Sequence, residues 1–517
     1  MIPALLSVII AFSIMATAVG NIVLTNISVA ANTIKSEQAF NIAEAGINYY
    51  KWHLDYNSTD YEDGHTGETI NSSMGYGPFV HQYIDQNGVD EGTYTLYIEP
   101  PKVAGSTIVT VTSIGQVAGS NFTRTIQAEI GSPSFASYGV ASDSALWFGN
   151  NETADGPIFS NQGIRMDGPN TSTVTSANST YVPSVALGGN GYTTEPGVWC
   201  SDTVTSPVDC ATRNTSNWVY PSNNIDFNQI NNSLCNLKKI AFSNNSTTAS
   251  IATASNACTQ TPNTLTTSYL PRRGFYSDSQ RGYLIMLNSN DTYNLYDVNN
   301  ENDTLTPYTS ALKLKLVADN IAIPSSGVIF AEDNVWVLSN PTFTGRVTIA
   351  AGRMTSSNTF SEANIVIAGP LQYGIKNGTD AIGLVAQNSV ILAPYAPPTS
   401  GAFTFEIDGA LMAVNGNVWY PPNYRNNYYY CTQGWTQSDQ TLLFYGSVTT
   451  RQVWTWNWLD GQYQCGNAAY DPVNGYISGI ENTVTQYDYN LEFNPPPHYP
   501  NIGGNAIISW REILTRP

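Results

Sequence analysis

Hydrophobic and polar positions change their pattern three times along the chain. Residues Met1 to Val19 are apolar on every side, relieved only by Ser7, Ser13 and Thr17, and the first charge is Lys35. A run of this length crosses ~30 Å of hydrocarbon as a helix. Beyond Lys35 the apolar residues Phe40, Ala43, Ile47, Tyr50 and Leu54 return at three- and four-residue spacing among polar neighbours, which predicts an amphipathic helix. One helix from about Ala4 to Leu54 would measure roughly 75 Å at about 1.5 Å per residue. Gly20 and the β-branched pair Ile22-Val23 lower helix propensity in its middle, so melting or bending is expected near residues 20–28.

After a polar connector the period shifts to two. The runs "GTYTLYIEP" (92–100), "STIVTVTSIGQV" (106–117) and "NFTRTIQAEI" (121–130) read as three strands, with a hairpin turn at Ala118-Gly119-Ser120. From about Phe135 the chain becomes a series of short apolar triplets separated by Gly- and Asn-containing turns. "GVASDSALWFG", "GPIFSNQGIRMDG", "GVIFAEDNVWVL", "GRVTIAAG", "GLVAQNSVILA" and "GALMAVNGNVWY" share that rhythm. Inexact repeats of units too small to bury their own apolar face predict stacked coils of a β-solenoid, with a β-sandwich as the alternative. Two polar stretches, about 186–275 and 421–475, interrupt the rhythm as insertions. The "NPPP" near the C-terminus cannot join a sheet interior and reads as an extended strap across the domain end. The expected fold class is α+β and mostly β: an N-terminal helix (1–55), a small antiparallel sheet (56–132) and a large β domain (133–517).

Composition narrows the function. Of 517 residues only 11% are charged, and 20 basic residues leave a net charge of -19, which excludes a sizeable nucleic-acid surface. Six cysteines, Cys200, Cys210, Cys235, Cys258, Cys431 and Cys465, form no CxxC pair. Neighbour pairing as 200–210, 235–258 and 431–465 is the simplest of 15 connectivities and places the chain in an oxidising compartment. Asn-x-Ser/Thr triplets such as those at Asn57, Asn121, Asn178 and Asn377 permit glycosylation there. The four histidines, His53, His65, His81 and His498, fall in the N-terminal module and the final strap, away from the body of the large β domain, and no GxSxG, HExxH or phosphate-binding loop stands in a supporting context. No cofactor, metal or enzymatic activity is therefore expected. Oxygen-rich stretches at Asp297–Thr304 and Asp85–Gly92 lack the spacing of a calcium loop and read as solvated turns. Aromatic residues crowd between Trp419 and Tyr463. Trp454, Trp456 and Trp458 would share one face of a strand, so with Trp435 they form a candidate surface for a glycan or cell-surface ligand, unless they fill the core of the insertion.

The apolar N-terminal half, Lys35 and "AFNIAEAGINYY" (39–50) together resemble the opening helix of type IV pilins and type II secretion pseudopilins. The "AF..AEAG" stretch is similar to that of PilX-like minor pilins. The resemblance covers about the first 130 residues. It implies that Met1, Leu5, Ile9, Phe12, Met15, Val19, Leu24 and Ile27 hold the subunit in the inner membrane before assembly. Later they would pack against other copies or related pilins in an extracellular filament. The apolar segment carries no basic n-region and is expected to be retained. Most major pilins have a glutamate at the position of Leu5, so a minor or tip subunit acting as an adhesin is the alternative, followed by a membrane-anchored carbohydrate-active enzyme.

Overall fold

A computed structural model describes residues 2–70, 74–102, 106–149, 152–201, 210, 213–273, 281–301, 312–354, 362–396, 403–421, 440–460, 470–471, 475–480 and 482–513. The chain divides into two compact units, one made of 1–101, 107–132 and 504–517, the other of 102–106 and 133–503.

In the first unit a single helix, α1, runs from Ile2 to Tyr56, straight through the Gly20 region where melting was expected. Its last third buries Ala39, Ile42, Ala43, Gly46, Ile47, Tyr50 and Leu54, the apolar face read from the spacing. That face lies on an antiparallel sheet of β1 (Tyr76–Ile84), β2 (Asp90–Glu99), β3 (Val109–Val117) and β4 (Thr123–Gly131). Three of these match the alternating runs. β1 escaped the sequence reading because its "YGPFVHQYI" opens with Gly-Pro and exposes much of its apolar content, Val80 and Ile84 included. A fifth strand, Ala506–Ile513, pairs antiparallel with β4. Residues 504–517, grouped with the large domain by sequence order, thus belong to the helix unit: strand pairing ignores distance along the chain.

The second unit is built mainly on parallel ladders, with Thr292–Glu301 and Leu312–Ala322 added antiparallel beyond Gly282–Asn288 at one edge of the 8-stranded sheet. The repeat segments, except "GRVTIAAG" with its single strand Arg346–Ala351, each supply two strands that go to different sheets. In "GVIFAEDNVWVL", Val328–Ala331 enters an 11-stranded sheet and Asn334–Asn340 an 8-stranded one. Arg346–Ala351, Ala381–Ala386, Phe403–Ala413 and Gln440–Thr450 follow in the first sheet, each parallel to the last. Ile365–Ile367, Val390–Leu392, Val418–Trp419 and Trp454–Thr455 stack likewise in the second. The earlier repeats add Val140–Ser142, Ile158–Ser160 and Val174–Ser176, with Leu146–Phe148 and Ile164–Met166 in a three-stranded sheet of their own.

The long sheet is not threaded in chain order. Val140–Ser142 sits in mid-sheet, between Ile158–Ser160 and Gln440–Thr450. The chain stacks outward to Trp218–Val219 at one end, crosses to Tyr269–Leu270 at the other, and stacks back until Gln440–Thr450 meets the first strand. The crossing carries helix α2 (Gln229–Ser243). Ile230, Leu234, Leu237, Ala241 and Phe242 of α2 are buried with Phe330, Ala350, Val385, Ala410 and Met412, the outward positions of the long sheet. The inward positions Val347, Ile349, Leu384, Leu411 and Val448 form the main core. Both faces are covered, so the strands read as nearly continuous apolar runs. The stretch 186–275, expected to be a polar insertion, therefore contains a core helix. Gln440–Thr450, inside the second expected insertion, is a ladder strand, and 422–439, 461–469 and 472–474 lie outside the described residues.

The proline strap crosses the outward face of the long sheet and not its end. Arg346 donates to the carbonyls of Asn494 and Pro495 at 2.9 and 2.6 Å, and Thr348 Oγ1 donates to that of Pro497. A Cβ on Gly383 would stand 2.8 Å from Pro496, so the strap lies on bare backbone there.

Candidate functional site

The strongest candidate is the first half of α1. Leu5, Ile9, Phe12, Met15, Val19, Leu24 and Ile27 are all exposed, Phe12 to 74%. No surface of the first unit covers them, and the polar side chains among them are few: Asn21, Asn26, Ser28 and Asn32 beside five hydroxyls turned inward. Ser7, Ser13, Thr17, Thr25 and Thr33 each turn their hydroxyl back to a carbonyl of the same helix at 2.8–3.2 Å. Main-chain groups are satisfied within the helix, as a lipid or a protein interior demands. Met1 lies outside the described residues.

Small residues set how the other half docks. A Cβ on Gly115 of β3 would lie 2.2 Å from the Ala39 carbonyl oxygen and 2.4 Å from the Ala43 nitrogen. One on Gly46 would lie 2.3 Å from Ser113 Oγ and 2.9 Å from the Tyr94 ring. Ala39, Ala43 and Gly46 of "AFNIAEAG" are thus the side of the helix pressed against the sheet, while Phe40 packs edge-on to Trp510, 6.1 Å between centroids. The polar connector is pinned here as well. His53 lies 3.1 Å from Asp60, and His81 lies 2.6 Å from Asp63, which also accepts from the Tyr49 hydroxyl at 3.1 Å. Burial pushes the Tyr49 and Tyr94 phenols up to about 12, so both stay protonated donors. These histidines are tied to structural carboxylates. His498 lies in the strap of the other unit, and burial lowers its affinity for a proton.

The remaining candidates are placed as follows. Disulfides join Cys200 to Cys210 and Cys235 to Cys258, while Cys431, Cys465 and Trp435 lie outside the described residues. Trp454, Trp456 and Trp458 do not share one strand: Trp454-Thr455 belongs to the 8-stranded sheet and Asn457–Asp460 to a separate antiparallel sheet. Trp456 is 4% exposed, with its ring 6.0 Å from Phe444, and Trp454 packs 5.5 Å from Phe148. The Trp456 ring belongs to the core, and the Trp454 ring, partly buried, packs against it. Asp297 pairs with Arg273 at 2.9 Å, and Asp85 accepts from Asn87 N and Val89 N at 2.8 Å each, so both oxygen-rich stretches spend carboxylates on structure.

Sequence reasoning missed a charged cluster in which two neighbouring carboxylates meet a lysine some 30 residues earlier in the chain. Lys376 bridges Glu406 and Asp408, 3.0 Å from the latter, and its ammonium stands 4.4 Å from the Tyr445 ring centroid. Burial raises the Asp408 carboxyl to about 7. Glu406 and Asp408 project from one strand toward one lysine, and do not face each other across a groove as two hydrolytic carboxylates must.

No family model and no curated protein matches the chain. Among solved structures it is similar to the competence-associated pilin ComZ from Thermus thermophilus, at 12% identity, with 93% of this chain and 98% of that chain covered and a TM-score of 0.30.

Proposed function

We propose that the chain is a non-enzymatic structural subunit of an extracellular type IV pilus-like filament. The observation that carries this reading is the helix itself. Residues 2–34 expose an uncharged, predominantly apolar surface on which Ser7, Ser13, Thr17, Thr25 and Thr33 close their hydroxyls on the helix backbone, and the same helix continues into a half moulded to a sheet by Ala39, Ala43 and Gly46. An anchor alone needs only the first half. The subunit is held in the inner membrane by α1 before assembly, and α1 then packs with its copies or related pilins in the filament. Burying a ~20-residue apolar surface at roughly 25 cal/mol per Å² supplies most of the assembly energy.

The large unit is a β-solenoid by this reading, supported by its parallel stacking; a β-sandwich pairs its strands antiparallel. It serves adhesion or surface interaction, including with glycans. A minor or tip position is the second reading, favoured by Leu5. Electron cryo-microscopy of filaments sheared from producing cells, with mass spectrometry of the same sample, separates these. Stoichiometric subunits with α1 in the filament core are expected. Confinement to filament ends would select the tip role, and retention in the membrane fraction with no filament would end the proposal.

A further inference from the structure

Lys238 of α2 is completely buried, and its Nζ contacts Glu332, itself 1% exposed, at the end of the ladder strand Val328–Ala331. The surroundings are largely apolar: Nζ stands 5.7 Å from the Phe242 ring centroid and 5.8 Å from that of Phe330. Few donors serve the carboxyl. The Tyr269 hydroxyl reaches Oε1 at 3.4 Å and the Met354 N–H reaches Oε2 at 3.3 Å. Nζ also donates to the Cys258 carbonyl at 2.9 Å. Two full charges taken out of water here recover little of their lost hydration. Burial pushes Lys238 down and Glu332 up, so each leans toward its neutral form. An amine whose proton is held less tightly than usual, in contact with a carboxyl that holds one more tightly and with both side chains shut away from water, is placed for reaction.

We propose that Lys238 and Glu332 are joined through an amide between Nζ and Cδ, which ties the crossing helix covalently to the ladder. The Nζ lone pair attacks Cδ and forms the C–N bond. Tyr269, kept protonated by its burial, donates to Oε1 as negative charge develops there. The carbonyl reforms, the Cδ–Oε2 bond breaks, and Oε2 takes one proton from the nitrogen and departs as water. No oxidant or cofactor is needed, and the one amide N–H that remains keeps its bond to the Cys258 carbonyl. Holding the two groups in contact is equivalent to a concentration on the order of 10⁵ M or more. The Cys235–Cys258 disulfide lies one helical turn away, so the crossing would carry two covalent ties side by side.

Intact-mass and peptide-mapping mass spectrometry of the reduced, alkylated wild-type chain tests this. The expected mass is lower than that of the sequence by one water, with a branched peptide linking Lys238 to Glu332 and no tryptic cleavage after Lys238. On a reducing denaturing gel the looped wild-type chain should run ahead of Lys238→Met. Tyr269→Phe should leave a measurable uncross-linked fraction; complete cross-linking in that variant would remove Tyr269 from the mechanism. Full sequence mass, with Lys238 and Glu332 in separate linear peptides, overturns the proposal without reference to any variant's folding. The outcome is independent of whether the chain forms filaments.

Discussion

At the scale of single residues, the recurring device is a small or hydroxylated side chain placed where backbones meet. A Cβ on Gly115 would meet helix backbone at 2.2 and 2.4 Å, atoms that cannot rotate aside. Gly115→Ala should therefore destabilise the helix unit by about 1–3 kcal/mol, an overpacking cost, read as a lower urea midpoint; an unchanged midpoint would mean that α1 rides higher on the sheet. Ser142, Ser160 and Ser176 are register neighbours at the ends of successive ladder strands. Each accepts from the backbone N–H two residues on, at 3.0, 3.0 and 3.2 Å, and so closes a corner. Ser160 also donates to the Ser144 carbonyl at 2.8 Å, linking adjacent coils. Ser160→Ala strands a buried donor and an acceptor and should cost about 1–3 kcal/mol in denaturant unfolding. Asp408 carries a pH dependence. With its folded value raised to about 7, its contribution is fully present below an unfolded value near ~4 and is lost as pH rises through about 7. Lys376 is pushed up and stays charged throughout. Stability should thus fall between about pH 4 and about pH 7, and Asp408→Asn should flatten that decline.

Elements carry the function. The exposed half of α1 tolerates no charge if it enters a membrane and then a filament core. Ile14→Asp should cost about 2.5–3.5 kcal/mol at the centre of a membrane span. It should abolish surface filaments while the ring contacts of the docked half, far along the helix, hold the first unit's near-ultraviolet circular dichroism unchanged. Filaments at wild-type yield would argue against helix packing as the assembly contact. α2 is the counterpart in the large unit. Its Ile230, Leu234, Leu237 and Ala241 follow helical spacing, a signal that was legible but lay in a stretch dominated by Asn, Ser and Thr. The disulfide from Cys235 closes a loop with a sequence separation of 23. Replacing Cys235 and Cys258 together by serine should lower stability by about 3 kcal/mol in the chain-entropy account, seen as an earlier unfolding transition of the large unit.

At the scale of the whole molecule, chain order and spatial order part company twice. The last strand returns to the sheet that the helix rests on, and the first ladder strand pairs with Gln440–Thr450, some 300 residues later in the chain. Both are long-range pairings between backbones. The large unit therefore cannot complete its long sheet until Asn482–Tyr487, which pairs with Gln440–Thr450, is made, and the five-stranded sheet of the first unit waits for residue 513.

Local periodicity by itself determined much of this protein. An uncharged run followed by three- and four-residue spacing specifies one long helix with a bare half and a docked half. Gly-punctuated apolar triplets specify pairs of short strands, because each side chain's burial depends on its immediate neighbours along the chain. Tertiary structure decided what such neighbours cannot report. Trp454 and Trp456 turned inward because the ladder core reached them, against a pattern that suited an outward face equally well. Lys376, Glu406 and Asp408, like Lys238 and Glu332, met only through the stacking of distant coils. A charge in the sequence shows its sign; only the fold shows what has been brought against it, and how much water is left between.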